Sequence, residues 1–209
     1  MHLKMGLRAF RREFWIKSDQ GSAAIEFAFV APIFFALMLG IMEIGVMTFA
    51  QFTLQNAVTD AGRLIRTGQA QSANTSSGPT CVGGSDTHDY GTGAAGQQNW
   101  FQGQICCGVT PLITDCPALQ VTVTSSAGGF ASNGFGGLGA AGSYSPGVAC
   151  DVVLVRASYV WTVWFPGLAQ LLDSNSPPNY LVNSGANGHL LTGTAAFRNE
   201  PFSAGVAGC

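Results

Sequence analysis

One stretch of this chain has no comfortable place in water. Residues 27–42 (FAFVAPIFFALMLGIM) hold no charged side chain, and reading on to Ala50 adds only Glu43. About 20 predominantly apolar residues form a helix long enough to cross the hydrocarbon core of a bilayer, so the run predicts a transmembrane helix. A cleaved secretory signal is the competing reading, with an apolar region of about 7–15 residues that ends in a small-x-small site. Here the run is longer and passes, without such a site, into the amphipathic segment QFTLQNAVTDAGRLIRT at 51–67.

Charge is distributed to match. Residues 1–21 carry Lys4, Arg8, Arg11, Arg12 and Lys17 against Glu13 and Asp19, whereas beyond residue 50 the only basic residues are Arg63, Arg66, Arg156 and Arg198. A lysine and arginine excess before a membrane helix places that side in the cytoplasm, so the C-terminal bulk is expected outside it. A net charge of −2 excludes a basic nucleic-acid binder. Only 10% of the residues are charged, against roughly 25% in ordinary soluble domains.

The helix is expected to outlast the membrane. Leu54, Ala57, Val58, Ala61, Leu64 and Ile65 recur at three- and four-residue spacing and form one apolar stripe. Gly68 is a natural stop, and Pro32 predicts a mild kink by removing one backbone bond to Ala28. The reading is one helix over about residues 20–67, its stripe packed on its own head domain rather than in a coiled coil, for which the pattern is too short.

Residues 69–103 are polar and glycine-rich and read as loop. Residues 118–125 (ALQVTVTS) alternate as a half-buried strand. Residues 128–147 (GGFASNGFGGLGAAGSYSPG) are low-complexity loop, because a glycine-rich phosphate cradle needs a strand before it and a helix after it. Residues 151–165 (DVVLVRASYVWTVWF) are the strongest strand signal, with Val153, Val155, Ala157, Tyr159, Trp161 and Val163 on one face. A third strand is expected at 189–198 (HLLTGTAAFR). The fold class is therefore α+β: a long N-terminal helix on a small antiparallel sheet of about three strands, with long glycine-rich loops.

All six cysteines, Cys81, Cys106, Cys107, Cys116, Cys150 and Cys209, fall in the part expected to be exported. An even number in an oxidising compartment predicts disulfides. Neighbours Cys106 and Cys107 are too close to bond each other. If the second and third strands pair antiparallel, Cys150 meets Cys209, and Cys81 and Cys116 then bond Cys106 and Cys107 in some order. No CxxC is present, and His88 and His189 lack zinc-ligand spacing, so neither a metal nor another cofactor is expected.

Catalytic signatures are missing from the sequence. His88 with Asp86 and Asp89 reads as solvated loop. Trp161, Trp164 and Phe165 read as strand-end packing or, less favoured, as an exposed ligand surface. The unusual chemistry lies at the membrane, where Glu26 stands as the apolar run begins. Carboxylates in membrane segments are functional candidates by default, the alternative being a plain headgroup-boundary residue. Glu43 poses the same question at the far side, where the boundary reading is the better one.

The segment GSAAIEFAFVAPIFFALMLGIMEIGVMTFAQFTLQNAVTDAGRLIRTG resembles the N-terminal signature of TadE-like proteins, pseudopilins or minor pilins of tight-adherence (Flp-type) pilus systems. The matching elements are Glu26-Phe27, Pro32, Gly40, Glu43 and the Ala57/Ala61/Arg63 stem, and LTGTAAFRNEPF at 191–202 is similar to the family's C-terminal strand. The resemblance implies a pilin-like fold and cleavage by a prepilin peptidase between Gly21 and Ser22, which makes Glu26 the fifth mature residue. It implies as partners the bilayer, that peptidase, other pilins or pseudopilins, and the inner-membrane assembly platform, with no enzymatic activity. The alternative is a single-pass extracytoplasmic binding or adhesion module that never enters a filament; a thiol oxidoreductase is the more distant enzymatic reading.

The expected organisation is a basic cytoplasmic leader (1–21), a transmembrane helix (22–50), an amphipathic stem (51–67) and a disulfide-stapled head (68–209). The expected location is the bacterial inner membrane, single-pass with a cytoplasmic N-terminus, with a cell-surface pilus as the further location. A reporter active only in the periplasm, fused after Gly68, should give signal; a silent reporter in a stably expressed fusion reverses the orientation.

Overall fold

The computed structural model describes residues 19–73, 75, 80–81, 84–85, 91–110, 112–113, 116–127, 142–164 and 188–202. In chain order these form α1 (Asp19–Arg66), β1 (Thr80–Cys81), β2 (Gly84–Ser85), α2 (Gly93–Val109), a 3-10 turn (Cys116–Ala118), β3 (Gln120–Ser126), β4 (Val152–Thr162) and β5 (Gly188–Arg198). β3, β4 and β5 make an antiparallel sheet in that order, and β1 and β2 form a separate two-stranded ribbon. The architecture is α+β with a long N-terminal helix, as the sequence predicts. Two compact units divide the chain, Met1–Ile44 and Gly45–Cys209.

Within the first unit α1 continues through Pro32 without a break. Its large apolar side chains lie open: Phe27, Phe29, Ile33, Phe34, Leu37, Ile41 and Met42 are all exposed. In the second unit the same helix changes character. Leu54, Ala57, Val58, Ala61 and Ile65 are buried and Leu64 half-buried, which is the stripe read from sequence. They join Leu119, Val121, Val123, Val153, Val155, Ala157 and Leu191 from the sheet in one core. The alternation in β4 is as expected, with Tyr159 and Trp161 half-buried against that core.

The helix ends where Gly68 takes a left-handed φ of +79°. Its N–H donates to the Ile65 carbonyl and that of Ala70 to the Leu64 carbonyl, so two of the carbonyls orphaned at a helix end find partners.

The stretch 69–103 is not all loop. Its second half opens α2, which carries Phe101, Ile105, Cys106 and Val109 into the core. The spacing of Phe101, Ile105 and Val109 is helical, but glycines and glutamines between them weaken the local preference, and tertiary packing supplies the difference. A Cys106–Cys116 disulfide (Cα–Cα 5.7 Å) ties the end of α2 to the turn before β3, within the grouping expected for those cysteines. Cys107 and Cys150 are also disulfide-bonded. The expected Cys150–Cys209 pairing involves Cys209, which lies outside the described residues, as do residues 128–141, Asp86, His88, Asp89 and Phe165.

Tyr144 packs on Phe101 with ring centroids 5.8 Å apart, and burial pushes its phenol up to about 12. Its neighbours close the β3 edge: Val123 N–H donates to Ser143 O (2.8 Å) and Ser145 N–H to Val123 O (2.9 Å).

Helix and sheet approach closely at Gly193. A Cβ there would stand 2.9 Å from Val58 Cγ2 and 3.1 Å from the Leu54 carbonyl oxygen, the second of which is backbone and cannot rotate away. Gly193→Val should therefore destabilise the head by about 1–3 kcal/mol or more through overpacking. Urea unfolding in detergent micelles, followed by tryptophan fluorescence, measures this; an unchanged midpoint contradicts it.

Candidate functional site

Two regions of α1 and its partners carry the residues singled out from sequence. The first is the apolar helix of the Met1–Ile44 unit. Gly21 and Ser22 lie in the helical backbone of α1. Glu26 and Phe27 follow on the exposed helix, Phe27 at 68%. Glu43 is half-buried and Gly40 buried. Seventeen residues separate the two carboxylates, about 26 Å along a helix, slightly less than the roughly 30 Å hydrocarbon thickness. The pair therefore brackets an apolar span with the dimensions of a bilayer core. An exposed apolar surface this continuous is not stable in water and marks a membrane or protein contact. By length and composition the helix is one that can cross a membrane.

The second region is the stem in the Gly45–Cys209 unit, where the C-terminal motif meets it. β5 would otherwise present an open sheet edge. Two glutamines close it. Gln51 Nε2 donates to Thr192 O (2.6 Å) while Thr192 N–H donates to Gln51 Oε1 (3.1 Å). Gln55 repeats the arrangement one turn later with Thr194, at 2.8 and 3.0 Å. The periods match: four helical residues rise about 6 Å and two strand residues about 6.8 Å. Each carboxamide reproduces the donor–acceptor pair of a neighbouring peptide, so the helix serves as the strand that is missing from this edge.

Beyond the strand, the residues RNEPF fasten the end of the helix. Arg198 Nε donates to Cys150 O, and Asn199 Nδ2 donates to Pro146 O and Val148 O. Glu200 N–H donates to Arg66 O (2.9 Å), and its carboxylate meets Arg66 Nε at 3.1 Å. Both side chains of that ion pair are about half exposed, so it adds little by itself. Phe202 lies directly over Gly68. The motif similar to the family's C-terminal strand thus has a physical role here: TGT meets the middle of the stem and RNEPF its end.

The clamp was not read from sequence. Its signal was present in Gln51 and Gln55 beside Leu54 and Val58, and in a glycine between two threonines, but neither pattern is diagnostic before the partner is known. Among the described residues, no three His, Cys, Asp or Glu side chains approach one another as a metal site requires.

The described fold is thus an α+β head that clamps an amphipathic stem, on a helix whose first part is long and apolar enough to cross a membrane. Residues 21–63 match the family model described as TadE-like protein, the same segment that carries the sequence resemblance. The match supports a protein associated with a tight-adherence pilus and an N-terminal helix of membrane-anchor type. Neither the curated proteins nor the solved structures contain a match to this chain.

Replacing Gln51 by Leu should leave the Thr192 N–H and C=O without their protein partners, at about 1–3 kcal/mol. Gln55→Leu should cost less, because its bonds lie in solvent and water can replace them. Hydrogen exchange at the Thr192 and Thr194 amides reports each loss separately. Protection that persists in both variants removes the glutamines from the explanation.

Proposed function

We propose that this protein is a non-enzymatic pseudopilin or minor pilin that is inserted in the inner membrane and takes part in assembling a tight-adherence pilus. The observation that supports this best is the coincidence on one helix of the TadE-like match over 21–63 and a bilayer-length run of exposed apolar side chains. In this reading residues 1–21 are a cytoplasmic leader and 22–50 the membrane helix. Residues 51–67 are the stem, and the head from 68 onward is extracytoplasmic.

Gly21 and Ser22 flank the cut made by a prepilin peptidase. Cleavage creates an α-amine at Ser22, with an ordinary pKa of about 7.7–8.0, four residues before Glu26. A neighbouring subunit displaced along the filament axis brings its own amine to this carboxylate, and both charges are neutralised in the low-dielectric helix bundle. A subunit at the wrong displacement forfeits this pairing, which is strongly unfavourable for charges removed from water. Glu26 then sets register rather than adding stability, with Phe27 packing beside it. Glu43, at the opposite end of the span, marks the membrane boundary.

The N-terminal residue of the protein isolated from membranes tests this directly: Ser22 supports processing, and an intact leader supports the alternative, an anchored binding or adhesion module outside any filament. Glu26→Ala should leave insertion and cleavage intact while weakening incorporation into pili. Glu26→Asp should be partly defective, and Glu43→Gln milder than either. Normal pili and undiminished co-purification with the pilin machinery in a Glu26→Ala strain would sink the charge-pair mechanism.

A further inference from the structure

Among the described residues, the surface of the Gly45–Cys209 unit is sorted along its length. The Gln51–Thr192 and Gln55–Thr194 contacts show that β5 and the stem run in the same direction. Gly188 lies four residues before Thr192, about 13 Å back along the strand. Gly45, where this unit begins, lies six residues before Gln51, about 9 Å back along the helix. The start of β5, and the end of β4 paired to it through Thr162↔Gly188, therefore reach the Gly45 end of the unit.

Exposed large apolar side chains gather at that end. Trp164 is 79% exposed and Val160 47% on the sheet side, and Phe49 and Phe52 are 62% and 65% exposed on the stem. The contrast is Val148, which is exposed beside Cys150 at the opposite end. Formal charges are sorted the other way. Among the described residues of this unit, every Asp, Glu and Arg stands at the level of Gln55 or beyond, from Asp60, Arg63 and Arg66 on the stem to Arg156, Arg198 and Glu200 beside it. Arg156 pairs with Thr194, which sets that limit. Among the described residues of this unit, His189 is the one histidine, and it lies at the apolar end.

We infer that this rim, Trp164 and Val160 with Phe49 and Phe52, seats the head in the interfacial layer of the bilayer that its helix crosses. The inference rests on the membrane-anchored reading above. Tryptophan and other aromatics concentrate at the headgroup level, where an amphipathic ring is partly wet and partly apolar. The rim residues come from the stem and from the sheet, so they belong to a level around the unit rather than to one patch. A protein-binding site gathers its apolar residues into one core ringed by polar groups; a level that crosses both elements suits a planar partner perpendicular to the helix. Stem residues 45–59, which carry Phe49 and Phe52, hold no charged side chain. Trp164, two residues beyond the end of β4 and 79% exposed, is among the described residues the aromatic of the head that reaches furthest past that end of the sheet.

The test uses the full chain in a Trp15→Phe background, reconstituted in phosphatidylcholine–phosphatidylglycerol vesicles. Phosphatidylcholine brominated near the carbonyl end of its acyl chains should quench tryptophan fluorescence. Trp164→Phe, at a position exposed enough to leave folding intact, should remove the larger part of that quenching. Equal lipid quenching with and without Trp164, or quenching of Trp164 by aqueous iodide at the rate of a solvated indole, overturns the inference while leaving the anchor in place. A chain that fails to float with the vesicles overturns the anchor reading and this inference with it.

Discussion

Helix and sheet meet in this protein through a contact that leaves room for no side chain. At Gly193 the strand passes within van der Waals reach of the Leu54 carbonyl and the Val58 methyl. Only that proximity lets Gln51 and Gln55 reach the backbone of Thr192 and Thr194. Move the strand outward by one methyl group and the carboxamides fall short of their partners. The stripe Leu54, Val58, Ile65 would also lose its cover. Close approach, edge closure and core burial are therefore one arrangement rather than three.

The sheet is protected on both sides by unlike means. On the β3 side the residues Ser143–Ser145 add a short backbone bridge. On the β5 side the protection comes from side chains of a helix. Exposed strand edges template pairing with other chains. The Ser143–Ser145 bridge on one side and the two glutamines on the other leave neither edge wholly open to such pairing.

Much of this was legible in the sequence where periodicity is strong. The apolar run, the stem stripe from Leu54 to Ile65 and the alternating β4 each bury enough of one face to announce themselves. α2 was hidden because GAAGQQNWFQGQ has poor intrinsic helix preference, and its helicity depends on Phe101, Ile105 and Val109 finding a core. The glutamine clamp was hidden for another reason: Gln51 and Gln55 look like ordinary polar positions until a strand more than a hundred residues away is placed beside them. Glu26 was visible as chemistry out of place, and the TadE-like match over 21–63 agrees with the resemblance that singled it out.

The order in which the chain is made gives the clamp a further meaning. Gln51 and Thr192 are 141 residues apart, so a stem made early has to wait for nearly the whole head to be synthesised. β5 is also the strand that lies between β4 and the stem, which makes it the keystone of the unit. Until it arrives, the apolar stripe and the edge of β4 both stand open. Completion of the head is thereby coupled to completion of synthesis, and a chain that stops short of β5 keeps apolar surface and an open strand edge on display.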